Sequence, residues 1–203
     1  MPLLPGPSSD LAPATRTWLR HLLHPAVAVD PALPHRPGPG AAERRAAERD
    51  VRDGLLRRVV GDVVVAADVE LGPAGRAAAL ALLMPPGAVA LGATAAWVHA
   101  GALAGVPAVL EVAVEAPAVR RLQRDGCGAG VPVRATRAVP PAGDLVDVGP
   151  LRVTSPARTL LDVARASPQR TARVRRALLE AGARPEAPAP AGAQSRERDA
   201  MTR

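Results

Sequence analysis

The chain has 203 residues, of which 48% are hydrophobic, and it carries a net charge of +7. That length allows one domain or two small ones, and a single cysteine excludes an internal disulfide. No apolar run reaches the length of a membrane span, and the proline-broken start is unlike a signal peptide, so we expect a cytoplasmic protein.

Composition restricts both the core and the charged surface. The sequence has no Phe and no Tyr, and its only aromatic side chains are Trp18 and Trp97. A core of Ala, Val and Leu buries less area per residue, so we expect modest stability. All 26 basic residues are arginine, the side chain that binds phosphate as a planar fork, and residues 165–203 carry a net +5.

The first third of the chain predicts a tail, a helix and a hairpin. Residues 1–40 contain nine prolines, so we expect a mostly disordered N-terminal tail. Residues 41–53 (AAERRAAERDVRD) are strong helix-forming material. Segments 55–60 and 63–67 predict a β-hairpin that turns at Gly61-Asp62. Four apolar residues are expected to give the helix a thin buried face: Ala42, Ala46, Val51 and Leu55.

Residues 68–182 predict a small mixed α+β domain. The expected helices are 73–83, 93–100, 156–166 and 169–181, and the expected strands are 89–91, 109–114, 131–139, 145–148 and 151–154. Residues 120–124 and 126–130 are expected to form a loop. Pro132 indicates that its strand lies at a sheet edge. Residues 183–203 predict a second disordered tail.

Residues 149–166 (GPLRVTSPARTLLDVARA) are the most informative run. Ser155 offers an N-cap hydroxyl, and Pro156 fits the first helical position, where no N–H is needed. Arg158, Asp162 and Arg165 fall at i, i+4 and i+7, so Asp162 lies within reach of both arginines. Two interpretations stay open: a solvated set of ion pairs, or a group that orients a partner.

The segment VTSPARTLLDVAR resembles the AbiEi-type antitoxin and transcriptional-regulator family of actinobacteria. Longer relatives of that family carry a very-short-patch-repair-like nuclease domain (DUF559). Residues 54–65 (GLLRRVVGDVVV), 85–99 (PPGAVALGATAAWVH) and 109–114 (VLEVAV) resemble the family in the same order, so the resemblance covers about residues 45–181. It implies an antitoxin and regulator of a type IV toxin–antitoxin system, with operator DNA and a nucleotidyltransferase-like toxin as partners.

By this resemblance, residues 41–67 are a reduced winged-helix-like piece in which the helix is the reader and the hairpin is the wing. Helix arginines would reach bases or phosphates, and wing arginines the backbone. The candidate DNA-binding residues are Arg44, Arg45, Arg49, Arg52, Arg57 and Arg58. Five acids share this segment, and prolines 31 to 39 interrupt the expected helix-turn-helix. The alternatives are a protein-interaction module that has lost DNA binding, or a remnant of a nuclease-bearing relative.

Residue patterns typical of catalysis are weak, so we expect no enzyme, metal site or cofactor. His99 has no Ser, Cys or carboxylate at the spacing of a triad, which favours a structural role. One cysteine and scattered histidines give no metal-ligand spacing, and a chain without lysine lacks the phosphate-loop lysine. A second basic patch at Arg173, Arg175 and Arg176 is more typical of a solvated face.

Overall fold

The computed structural model describes residues 33–125, 127 and 130–183. This part of the chain contains six helices and seven strands, which makes the fold class mixed α+β as predicted. The helices are α1 Ala41–Arg52, α2 Pro73–Ala81, α3 Gly92–Ala100, α4 Ala116–Asp125, α5 Pro156–Ala166 and α6 Pro168–Glu180. The strands are β1 Leu56–Val60, β2 Val63–Ala66, β3 Val89–Ala90, β4 Leu110–Ala113, β5 Val133–Thr136, β6 Leu145–Val148 and β7 Leu151–Thr154.

Two sheets organise these elements. β1 and β2 form an antiparallel hairpin in which Leu56 lies opposite Ala66, and Gly61 has a φ of 57° in the turn. The second sheet has five strands in the order β5-β4-β3-β7-β6. Its β3–β7 and β4–β5 pairs are parallel, and its β3–β4 and β6–β7 pairs are antiparallel. The predicted hairpins are confirmed, and β5 lies at an edge as Pro132 indicated.

The hairpin and the five-stranded sheet share one hydrophobic cluster. Val63 and Val65 of the hairpin belong to the same cluster as Leu80 of α2, Leu110 of β4 and Val153 of β7. The division of the chain at residues 67 and 68 stays a prediction, but the two segments are joined by common packing.

Helix α3 lies at the centre of the fold. Eight of its nine residues are buried, among them Trp97, the one tryptophan among the residues that the structure describes. The helix contacts α2, α5 and α6 as well as β4 and β7. Its neighbours therefore bury it on nearly every side, and its two buried polar side chains, Thr94 and His99, are hydrogen-bonded.

Helix α4 corrects one prediction, because residues 120–124 are helical and not part of a loop. Pro117 falls in the first turn, where its missing N–H costs nothing. Val119 and Leu122 then lie one turn apart and pack against Val112 of β4 and Ala135 of β5. Two apolar residues among arginines sufficed for a helix because a sheet covers that face.

The surroundings of α1 also differ from expectation. No residue of α1 is buried, Ala46 and Val51 are half-buried, and Leu55 is 43% exposed, so the predicted buried face is wrong. Most of the two expected disordered tails, residues 1–32 and 184–203, lies outside the described residues. Residues 33–40 are described, and His35 pairs with Val64 of the hairpin.

The last two helices match the predicted ones closely. Ser155 caps α5, since its Oγ accepts a hydrogen bond from the backbone N–H of Arg158 at 3.3 Å. After Ser167, α6 runs to Glu180, and its apolar face includes Val174 and Leu178, which pack in one cluster with Val163 of α5. Gly182 follows with a φ of 73°, which suits the predicted helix stop.

Candidate nucleic-acid interface

Helix α1 is attached to the hairpin at both of its ends. Before it, His35 and Val64 exchange two backbone hydrogen bonds of 3.0 and 2.9 Å. The Arg36 guanidinium bonds both carboxylate oxygens of Asp62 in the hairpin turn, with its Nη2 2.7 Å from Oδ2. After it, the backbone N–H of Ala67 donates to the carbonyl of Leu55 at 3.0 Å. The contacts on either side of α1 therefore join both of its ends to the same hairpin.

Local contacts stabilise the helix ends. The backbone N–H of Gly40 donates to Oε2 of Glu43 at 3.1 Å, which places a carboxylate at the positive end of the helix dipole. Arg49 and Arg52 occupy the last turn, where positive charge is favourable. These contacts account for a stable helix of 12 residues without a buried face.

Three arginines form a continuous basic line along α1. Arg45, Arg49 and Arg52 follow at i, i+4 and i+7, so they share one face, and all three are exposed. We call them the arginine stripe; at 1.5 Å per residue it spans about 10 Å. The opposite side of the helix carries the half-buried residues: Ala46, Ala47, Asp50 and Val51.

The helix acids are only partly separated from this stripe. Glu43 is used in the N-terminal cap, and Asp50 is half-buried on the opposite side. Glu48 is exposed and lies three residues after Arg45 and four before Arg52, so it flanks the stripe, and it also lines a small cleft against the hairpin. The stripe therefore keeps three arginines on one face with one acid beside it.

The other three candidate arginines have different surroundings. Arg44 donates to the carbonyl of Pro39. Arg57 is half-buried, and its Nη2 donates to the carbonyl of Val69 at 2.7 Å. Arg58 is exposed and lines the same cleft as Glu48. The six predicted residues thus divide into an exposed stripe, one exposed wing arginine and two arginines bonded to backbone carbonyls.

His99 joins α3 to β7 in the interior. Its Nε2 lies 2.8 Å from the carbonyl oxygen of Thr154, and a carbonyl only accepts, so Nε2 carries the proton. Burial lowers the pKa of His99; the Thr154 hydrogen bond opposes that shift and the charge of Arg76 adds to it. The Oγ1 of Thr159 also donates to the Thr154 carbonyl at 3.1 Å. These contacts support a structural role for His99.

Arg76 was not expected from the sequence as a structural residue. Its guanidinium donates to the carbonyls of Val98 at 3.0 Å and His99 at 3.1 Å, both in the last turn of α3, and to that of Leu71. Burial lowers the pKa of Arg76. It caps the negative end of a buried helix, as a cation does there favourably.

Arg158 has two acidic partners rather than one. Its Nε donates to Asp162 at 2.9 Å, as the i, i+4 spacing predicts, and its Nη1 donates to Asp144 at 2.9 Å. The hydrogen bonds that Arg158 donates to Asp144, first, and to Asp162 raise the pKa of Arg158. The side chain therefore ties α5 to the start of β6, while Arg165 is exposed.

The second predicted basic patch lies on α6. Arg175 and Arg176 are exposed, and the Nε of Arg173 donates to the carbonyl of Leu103 at 3.3 Å. Arg170, one turn earlier, is exposed as well. Helix α6 therefore offers three exposed arginines, Arg170, Arg175 and Arg176, as a comparison of equal charge for the α1 stripe.

Comparisons with known proteins do not assign the chain to a family. Family models, curated proteins and solved structures give no match. In residues 33–125, 127 and 130–183, no group of three or more His, Cys, Asp or Glu side chains is placed to hold a metal ion. The helices in this range are too short or too polar to cross a membrane.

Proposed function

We propose that this protein is a non-enzymatic DNA-binding regulator that contacts duplex DNA through the arginine stripe of α1. The observation that carries the proposal is the stripe itself: three exposed arginines aligned on a helix that has no fully buried residue and yet is attached to the hairpin at both ends. A helix held in this way presents its guanidinium groups in a constant direction.

The dimensions of α1 suit a duplex. A helix with its side chains is about 10–12 Å wide, and the major groove of B-DNA is about 12 Å wide. Guanidinium groups bind phosphate oxygens bidentately, and base edges are reached from the same helix face. Arg58, exposed on the neighbouring hairpin, is the wing residue that the proposal assigns to the phosphate backbone.

The biological role in this proposal comes from the family resemblance. It makes the protein an antitoxin of a type IV toxin–antitoxin system that binds its own operator in the cytoplasm, with a nucleotidyltransferase-like toxin as its partner. The packed α+β body would then support assembly and antitoxicity.

The test is DNA binding by two variants of equal charge. The stripe variant carries Arg45→Gln, Arg49→Gln and Arg52→Gln, and the α6 variant carries the same substitution at Arg170, Arg175 and Arg176. Fluorescence anisotropy with a duplex from the upstream region of the gene, at 50 mM salt, should show binding by the wild type and the α6 variant and loss of most binding by the stripe variant. No binding by the wild type, or equal losses in both variants, would contradict the proposal.

Cleavage tests the non-enzymatic part. Incubation of the same duplex with the purified protein and Mg²⁺ should leave the DNA intact. Metal-dependent cleavage that persists after further purification of the protein would support the nuclease alternative.

A protein-interaction module is the second candidate. Leu33 is 58% exposed and Leu55 is 43% exposed, and they lie before and after α1. A leucine side chain gains nothing from a phosphate contact but gains free energy when an apolar protein surface covers it, so these two residues favour a protein partner at this surface. Co-purification with the product of the neighbouring gene, lost on Leu55→Glu and kept by the stripe variant, would favour this function over DNA binding.

A further inference from the structure

We propose that Asp62 and Arg36 are positioning residues: with the His35–Val64 backbone bridge they form a clasp that fixes the direction of α1 and so places the arginine stripe. The inference rests on the proposed function for its consequence in DNA binding. The clasp itself is a property of the free protein.

The geometry of the clasp is specific. Arg36 and Asp62 are 26 residues apart in sequence, and α1 lies between them. The Arg36 Nε is 3.0 and 3.1 Å from the two oxygens of Asp62, and Nη2 donates to one of them at 2.7 Å. The Asp62 hydrogen bond raises the pKa of Arg36. A two-pronged contact of this kind fixes orientation as well as distance.

Packing alone does not fix the direction of α1. The helix has no buried residue, so its contacts with β1 restrain it on one half-buried side only. Without the clasp, α1 remains attached through its C-terminal end. A tilt of 15° about that end would move Arg45, about 12 Å away along the axis, by about 3 Å. A displacement of that size breaks a hydrogen bond to phosphate.

The direction in which one substitution changes DNA affinity distinguishes a positioning role from a purely electrostatic role. Asp62 is negative, so removal of its charge alone should strengthen binding to a polyanion, if it changes binding at all. If Asp62 acts through the clasp, Asp62→Asn weakens binding in spite of the gained charge. Asp68→Asn is the matched control, since Asp68 is an exposed acid just after β2.

The experiment has two readouts, DNA affinity and amide hydrogen exchange of residues 41–52 in the free protein. For Asp62→Asn we expect about fivefold weaker binding, the equivalent of about 1 kcal/mol, and faster exchange in α1. Asp68→Asn should bind as tightly as the wild type or more tightly, with unchanged exchange. The exchanged pair Arg36→Asp with Asp62→Arg should restore both readouts in part.

The outcomes separate the two proposals. Equal binding and equal exchange for the Asp62 and Asp68 variants would overturn the clasp. Faster exchange without weaker binding would overturn its positioning role. If the wild type does not bind DNA at all, the proposed function fails, and exchange in the Asp62→Asn and Arg36→Gln variants still decides whether the clasp holds α1.

Discussion

Replacement of His99 by Leu tests the interior of the fold most sharply. His99 is buried, and its Nε2–H donates to the Thr154 carbonyl at 2.8 Å, which joins α3 to β7 across 55 residues. Leucine fills most of the same space but cannot donate. The Thr154 carbonyl keeps the Thr159 hydroxyl as a donor at 3.1 Å, so it is not left unpaired. We therefore expect a loss of only about 1 kcal/mol at pH 8, the net value of one hydrogen bond.

The same substitution should change the pH dependence of stability. Burial lowers the pKa of His99 in the folded state, so the unfolded state binds more protons as the pH falls. The wild type should therefore lose stability as the pH falls below the ordinary histidine pKa of about 6.5, until it passes the lowered folded-state pKa. The slope from one proton reaches at most about 1.4 kcal/mol per pH unit. His99→Leu lacks this contribution, so its deficit should shrink toward pH 5 and can reverse.

Urea unfolding at pH 8, 7, 6 and 5, followed by far-UV circular dichroism, measures both effects. The plots of unfolding free energy against pH for the wild type and His99→Leu should converge toward low pH. Parallel plots for the wild type and His99→Leu would refute the account of a neutral, proton-donating His99.

Two further substitutions test backbone strain and ion pairing, each with a control. Gly92→Ala should destabilise the protein by about 1–3 kcal/mol, because Gly92 has a φ of 48° and a Cβ there would collide with the Glu111 carboxylate. The control is Gly143→Ala, which should change the melting temperature little because nothing lies near its Cβ. Arg158→Ala should lower the unfolding free energy by about 1–2 kcal/mol, because it removes the partner of two largely buried carboxylates. The control is Arg152→Ala, which breaks a pair whose side chains are 58% and 79% exposed and should therefore lower it much less in the same thermal unfolding assay.

Local signals in the sequence were sufficient to predict most of the helices and strands. The β6–β7 hairpin turns at Gly149-Pro150 as predicted, and Ser155 caps α5 with its own side chain. Such features depend on residues within a few positions of each other. Helix α4 was missed because its apolar face consists of little more than Val119 and Leu122, and the strands that cover them come from elsewhere in the chain.

Contacts between residues that are far apart in the sequence could not be predicted from sequence patterns. Glu111 accepts the backbone N–H of Ala93 at 2.9 Å and so caps α3 from a neighbouring strand. The spacing of Arg158 and Asp162 predicted one ion pair but gave no sign of Asp144. The arginines of the candidate site could also be predicted from the sequence, because they are basic residues on a helix and a hairpin. The sequence did not show that the stripe is exposed and that Arg57 is half-buried, since this depends on tertiary contacts.

The salt dependence of DNA binding tests the central proposal most directly. Each phosphate contact adds about −0.9 to the slope of log K against log salt, so the stripe of Arg45, Arg49 and Arg52 should contribute about −2.7. Between 50 and 200 mM salt this corresponds to about a 40-fold loss of affinity from these three contacts. We predict that the stripe variant has a slope shallower by about 3 and that the α6 variant keeps the wild-type slope. A stripe variant with the wild-type slope would contradict the proposal that α1 contacts the DNA backbone.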